Sequence, residues 1–161
     1  MTSQFERILV PVDGSEPCSA AIGLALDFAV SSGGHVIFAH VLDTRDLYDK
    51  ASIYGYDPRP LRAKMRAEAE DVLEPAARRA AERGVESETL VVEGRPVDAI
   101  LNAAAGRSAD LIVMGTHGRR GFDRLFMGST TEGVLRAAGI PVLVVRQPQH
   151  AERGHAKLSS E

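Results

Sequence analysis

The sequence predicts an α/β fold: a single doubly wound parallel sheet of five strands in the order 3-2-1-4-5, with helices on both faces. Two observations carry this reading. Five short, almost unbroken apolar runs alternate with segments of helical periodicity between residues 8 and 145, and continuous apolar strands belong to parallel sheets covered on both faces. Right-handed crossovers then limit the winding to a doubly wound sheet. No repeat, linker or shift in composition divides the 161 residues, so one domain is expected over residues 1–146. The remainder, 147–161, is polar and is expected to be a disordered tail.

Ile8-Leu9-Val10-Pro11-Val12 is the first buried strand. Asp13-Gly14-Ser15 turns the chain, and Ser15 can cap a helix whose first turn tolerates Pro17. Ala21, Leu24, Ala25 and Phe28 recur at helical spacing until Gly33-Gly34 stops the helix. Residues 35–41 form the second strand. Residues 42–57 lack clear periodicity and carry Tyr48, Tyr54 and Tyr56, which predicts a long loop and raises the question of a lid.

Asp57 is the expected cap of a long helix with the stripe Leu61, Met65, Ala69, Val72, Leu73, Ala76 and Ala80. Pro75 has no N–H and is expected to kink or divide this helix, which Gly84 ends. A third strand follows over residues 88–92. Pro96 starts the next helix, with Val97, Ile100, Leu101 and Ala104 on one side. Residues 110–115 make the fourth strand, 129–138 a helix ended by Gly139, and 141–145 the fifth strand.

Composition excludes several classes. A net charge of −3 gives no reason to expect a nucleic-acid surface. No apolar run approaches the ~20 residues that span a bilayer, and no signal peptide is visible at the N-terminus. Cys18 is the single cysteine, so no internal disulfide and no cysteine-based zinc site can form. A cytoplasmic location is the default expectation. Cys18 itself reads as a small helix-facing residue rather than a reactive thiol.

The most informative segment is Gly115-Thr116-His117-Gly118, nine residues, then Gly128-Ser129. It lies between an apolar strand and a helix start. Small residues there let the backbone approach an anion, and the free N–H groups of the helix start point at it. In a sheet of order 3-2-1-4-5 the winding reverses between the first and fourth strands, and ligands sit beyond the carboxyl ends of the strands at that point. Asp13 and Gly115 are therefore brought side by side. Gly115 and Gly118 admit backbone near a ribose or phosphate, and Gly128 permits close approach at the helix. Ser129 and Thr130 offer N–H groups and hydroxyls. Arg119, Arg120 and Arg124 can neutralise phosphate charge, and Asp13 can accept from ribose hydroxyls or adenine.

A ligand-free reading stands beside this one. Ser129-x-x-Glu132 is also a capping box, which would close the helix without an anion. Asp13 before Gly14 can be a turn residue only, and the arginines a solvated face. His117 reads as a loop residue, and His40 as a residue packed at a strand end. No second ligand stands at metal spacing with either histidine, so no metal site and no catalytic residue is assigned. No lysine follows a glycine in the Walker A manner, and the glycine spacing differs from that of nicotinamide dehydrogenases.

The chain resembles the universal stress protein family, in its nucleotide-binding branch. The resemblance rests on Gly115-x-x-Gly118, nine residues, Gly128-Ser129, and on Ile8-Leu9-Val10-Pro11-Val12-Asp13-Gly14-Ser15. Ala109 to Gly115 and Pro141 to Arg146 match the family's fourth and fifth strands, so the likeness covers residues 5–146. It implies a Rossmann-like fold and an adenine nucleotide held by Pro11, Val12, Asp13, the backbone of Val41, Met114, Gly115, Gly118, Gly128, Ser129 and Thr130, with His117 and Arg119 in the same loop. The expected ligand is ATP, with Mg²⁺ as partner of the triphosphate; cyclic AMP is the alternative. The likeness also implies a homodimer through the fifth strand, Pro141 to Val145. Two residues depart from the pattern. Gly133 lies inside a helix, and Thr130 stands where the family often has an apolar residue. Four roles remain open: an ATP-dependent regulatory module in a stress response, a slow ATPase, a cyclic-AMP-sequestering protein, and a ligand-free dimerisation module. Protein partners are not named by the sequence.

Overall fold

The computed structural model describes residues 5–116 and 127–146. The elements run β1 (Arg7–Pro11), α1 (Glu16–Ser32), β2 (His35–Leu42), α2 (Arg45–Tyr54), α3 (Arg59–Glu82), β3 (Ser87–Glu93), α4 (Pro96–Gly106), β4 (Leu111–Gly115), α5 (Ser129–Ala137) and β5 (Val142–Val145). The five strands form one sheet in the order β3-β2-β1-β4-β5. Every pairing is parallel. The tail 147–161 expected from the sequence lies outside the described residues.

Alternation along the strands divides the core into two layers. Ile8, Val10, Val36, Phe38, Leu111 and Val113 pack against α1 and α3 through Ala21, Ala25, Leu26, Leu73 and Ala76. Leu9, Ile37, Ala39, Ile112 and Met114 face the other way, against Ile100, Ala103 and Ala104 of α4 and Val134 of α5. A strand buried on both sides has no polar face, which is why these runs read as continuous rather than alternating.

The helix limits follow local chemistry. Ser15 caps α1 by accepting from the Cys18 N–H at 3.4 Å. Gly33 closes it in the left-handed region at φ 67°, where a Cβ would clash with the backbone. Pro96 occupies the first turn of α4, where its missing N–H has no partner to lose.

Four local expectations need correction. Residues 42–57 are not a structureless loop, because Arg45–Tyr54 forms α2. Only Leu47 and Ala51 of this helix are buried, and one i, i+4 pair is too short a stripe to show as periodicity. Asp57 is not the cap of α3. Pro58 takes that position without a side-chain cap bond, while Asp57 accepts from the Arg59 N–H at 3.0 Å and pairs with its guanidinium. Pro75 does not divide α3, which runs as one helix of 24 residues. Finally, α5 ends at a cap on Ala138 rather than Gly139.

Gly133, a departure from the family pattern, has a packing reason. A Cβ at this position would lie 2.6 Å from Val97 Cγ2, so the missing side chain is what lets α5 lie close against α4. The helix loses about 1 kcal/mol of intrinsic propensity for this and gains the buried contact.

Candidate functional site

The sheet splits at its carboxyl end. Pairing between β1 and β4 covers Ile8↔Leu111 and Leu9↔Ile112, whereas β1 follows β2 through Pro11↔Ala39. The strands beyond Leu9 and Ile112 border a cavity of about 570 Å³, within the usual size of small-molecule sites. Pro11, Val12 and Asp13 come to it from the end of β1, and Ala39, His40, Val41 and Asp43 from β2 and the turn after it. Met114 and Gly115 come from β4, Gly128 to Thr131 from the start of α5, Cys18 from α1, and Pro96 and Ile100 from α4.

The first wall is held by its own polar groups. Gly14 turns the chain at φ 79°. Asp13 Oδ1 accepts from the Ser15 N–H at 2.9 Å and from the Ser15 hydroxyl at 2.6 Å. Asp13 is thus both a turn residue and part of the cavity wall. His40 is bonded through Nδ1 to the Val12 carbonyl at 2.6 Å, and Val12 N–H donates to Ala39 O at 2.8 Å. The end of β1 is therefore tied to β2 on both sides of Val12. This agrees with His40 as a residue packed at a strand end.

Cys18 lies in the floor, 4% exposed, with Sγ 3.5 Å from the Pro11 carbonyl. Burial pushes its thiol up to about 11, against partial relief from the Asp13 backbone. At neutral pH it is a thiol, and therefore a poor nucleophile. Asp43 is the opposite case: its hydrogen bonds from Arg45 hold the carboxyl below the usual range. Nε of Arg45 donates to Oδ1 at 2.7 Å, so the rim carries an ion pair whose carboxylate is balanced by the guanidinium.

The second wall is the start of α5. Gly128 is the N-cap, at φ −62° and ψ 149°, and no side chain of the described residues caps the helix. The capping box suggested by Ser129-x-x-Glu132 does not form. Ser129 is already inside the helix, and Glu132 reaches forward to Arg136 at 2.6 Å. Only its N–H reaches back, to Gly128 O at 3.0 Å. The first N–H groups of α5 thus open on the cavity, where an anion is their natural partner.

Gly115 is required by packing as much as by any ligand. A Cβ there would stand 2.8 Å from the Pro17 carbonyl carbon and 2.9 Å from its Cβ and oxygen. Thr131, 3% exposed, donates from Oγ1 to the Gly115 carbonyl at 3.0 Å. Gly128 N–H donates to Thr116 O at 2.8 Å, and Thr116 N–H to Val145 O at 3.1 Å.

The structure thus brings Pro11, Val12, Asp13, Val41, Met114, Gly115, Gly128, Ser129 and Thr130 to one cavity. His117, Gly118, Arg119, Arg120 and Arg124 lie outside the described residues. Sequence reading missed Asp43, Thr131, Pro96 and Ile100 as wall residues, along with Cys18, Ala39 and His40, which it read as packing or strand residues only. Asp43 and Pro96 carry no motif, and Ile100 reads as ordinary helix core. Thr131 offered the one available signal, a third consecutive hydroxyl residue after Gly128. Among the described residues, no group of histidine, cysteine and carboxylate side chains forms a metal site, and no helix is long and apolar enough to cross a membrane.

A family model described as the universal stress protein family matches residues 4–146. A universal stress protein of Thermus aquaticus is 35% identical over 143 residues, covering 88% of this chain and 99% of its own length. The solved structure of protein MJ0577 of Methanocaldococcus jannaschii superposes with a TM-score of 0.79 at 28% identity, over 90% of this chain and 98% of that one. A universal stress protein solved in complex with cyclic AMP matches at TM-score 0.63 and 28% identity, over 89% of this chain and 98% of that one. On its sheet order, its split carboxyl end and these likenesses, the chain belongs to the universal stress protein family.

Proposed function

We propose that the cavity binds an adenine nucleotide, ATP with Mg²⁺ at its phosphates, and that the protein is a regulatory stress-response module rather than an efficient enzyme. The observation that carries this is the uncapped start of α5, opening on the cavity where β1 and β4 part. Pro11, Val12, Asp13 and the backbone of Val41 receive the nucleoside. Met114, Gly115, Gly128, Ser129 and Thr130 receive the phosphates, together with His117, Gly118 and Arg119. Among the described residues that line the cavity, none is lysine or arginine and two are carboxylates. The phosphate end therefore depends on helix N–H groups, on Mg²⁺ and on the arginines of the glycine loop.

The deciding experiment is to denature the purified protein and identify any released small molecule by mass spectrometry, with its stoichiometry. ATP near one per chain supports the assignment. Nothing released, followed by no heat of binding with ATP-Mg²⁺, removes it and leaves the ligand-free reading. Cyclic AMP is the second reading, favoured by the related protein solved with that ligand. Competition between the two nucleotides on one sample separates them. Hydrolysis, if present, is slow, and phosphate release that vanishes in Gly128→Ala would establish it.

The same reading includes a homodimer through Pro141 to Val145. β5 is an edge strand of four apolar residues, an edge that proteins normally cover. Ile112 N–H and Thr116 N–H donate to Pro141 O and Val145 O, so the backbone groups of Val144 face away from β4. Val144→Pro removes one outward donor without breaking the ladder to β4. Light scattering should report a monomer; an unchanged dimer places the interface elsewhere.

A further inference from the structure

We infer that Thr131 is the positioning residue of the phosphate end, and that its hydroxyl, rather than any ligand contact of its own, decides whether the start of α5 can receive an anion. The inference rests on the nucleotide reading of the cavity. It begins with one backbone group. Thr116 N–H donates to Val145 O on β5, and the N–H and C=O of one peptide point in opposite directions. The Gly115 carbonyl therefore points away from β5, toward β1. Pairing between β1 and β4 has already ended at Leu9↔Ile112, so no strand meets this carbonyl. Thr131 Oγ1 meets it instead, at 3.0 Å.

Two consequences follow. The bond sets how far the first turn of α5 stands from the end of β4. Val134, fully buried, and Gly133 against Val97 fix which side of the helix faces inward. Neither contact lies in the first turn. The bond also occupies an acceptor at the cavity wall. Without the hydroxyl, the Gly115 carbonyl would present its negative end to the space where phosphate is held, beside the N–H groups that attract it. A helix terminus and a strand carbonyl have opposite polarity, and Thr131 removes the second from the first's field.

The split between ligands tests this. In Thr131→Val, which keeps the shape and loses the donor, ATP affinity by titration calorimetry should fall about tenfold or more, while adenosine affinity stays within about twofold. Thr131→Ser should restore ATP binding. Circular dichroism confirms the fold of each variant, and Thr131→Ala takes the place of the valine variant if that one unfolds. Equal loss of ATP and adenosine in a folded variant, or no loss of either, overturns the inference. If the unaltered chain binds neither ligand, the nucleotide reading falls and this one with it.

Discussion

Two helices begin at the carboxyl end of the sheet, on either side of the split, and they begin differently. α1 is closed. Asp13 and Ser15 bond to one another, and Ser15 accepts from the third residue of the helix. α5 is open: its N-cap is a glycine and no described side chain reaches its first N–H groups. Both helices supply residues to the same cavity. A helix start facing a cavity is therefore not by itself a binding feature. α1 consumes its donors internally and offers a carboxylate, while α5 leaves its donors for a ligand.

The two starts meet at Gly115, with Pro17 of α1 against its Cα and Thr131 of α5 on its carbonyl. Gly115→Ala should break both at once. Backbone atoms rather than a flexible side chain block the new methyl, so a loss of about 3 kcal/mol is expected in urea denaturation. A loss below about 1 kcal/mol would mean the two helices are not packed as described. Gly133→Ala attacks only the placement of α5. The helix gains propensity, but the methyl meets Val97 Cγ2, and the net expectation is a loss of about 1–2 kcal/mol, relieved in the Val97→Ala background.

Ser15→Ala opens the closed helix and should cost about 1 kcal/mol. Ser129→Ala, at the start of α5, should change stability by less than about 0.5 kcal/mol, because no cap bond is lost. Similar losses in the two variants would erase the contrast. The smallest effect comes from closing the open helix. Gly128 has backbone angles that any residue adopts, so Gly128→Ser can supply a cap. Stability should rise by about 0.3 kcal/mol while ATP affinity falls. Unchanged affinity by calorimetry would show that phosphate does not use these N–H groups.

Much of this contrast was legible in residue order. Ser15 after Asp13-Gly14, with Pro17 two residues on, announces the capped start of α1. Gly115 and Gly128 mark the end of β4 and the start of α5. What was not legible is the choice at Ser129. The pattern Ser129-x-x-Glu132 fits a capping box, yet the helix starts one residue too early for it, and Glu132 bonds forward to Arg136. α2 was hidden because only Leu47 and Ala51 of it are buried. Asp43 was hidden because a carboxylate after a strand has no distinguishing neighbours.

Residue order already contains the alternation of strands and helices, the two buried faces of the sheet and the turns at Gly14 and Gly33. These depend on side-chain period and backbone freedom, which each residue carries with its immediate neighbours. The remaining features come from contacts between distant segments. Only the parting of β1 from β4 after Leu9↔Ile112 leaves Gly115 O without a strand partner, and only the folded chain sets Thr131, 16 residues on, against it. Only packing of α5 onto Val97 gives Gly133 its purpose. The physical reason is the same in both cases. A hydrogen bond or a close contact between distant segments depends on which segment arrives, and no local preference contains that information.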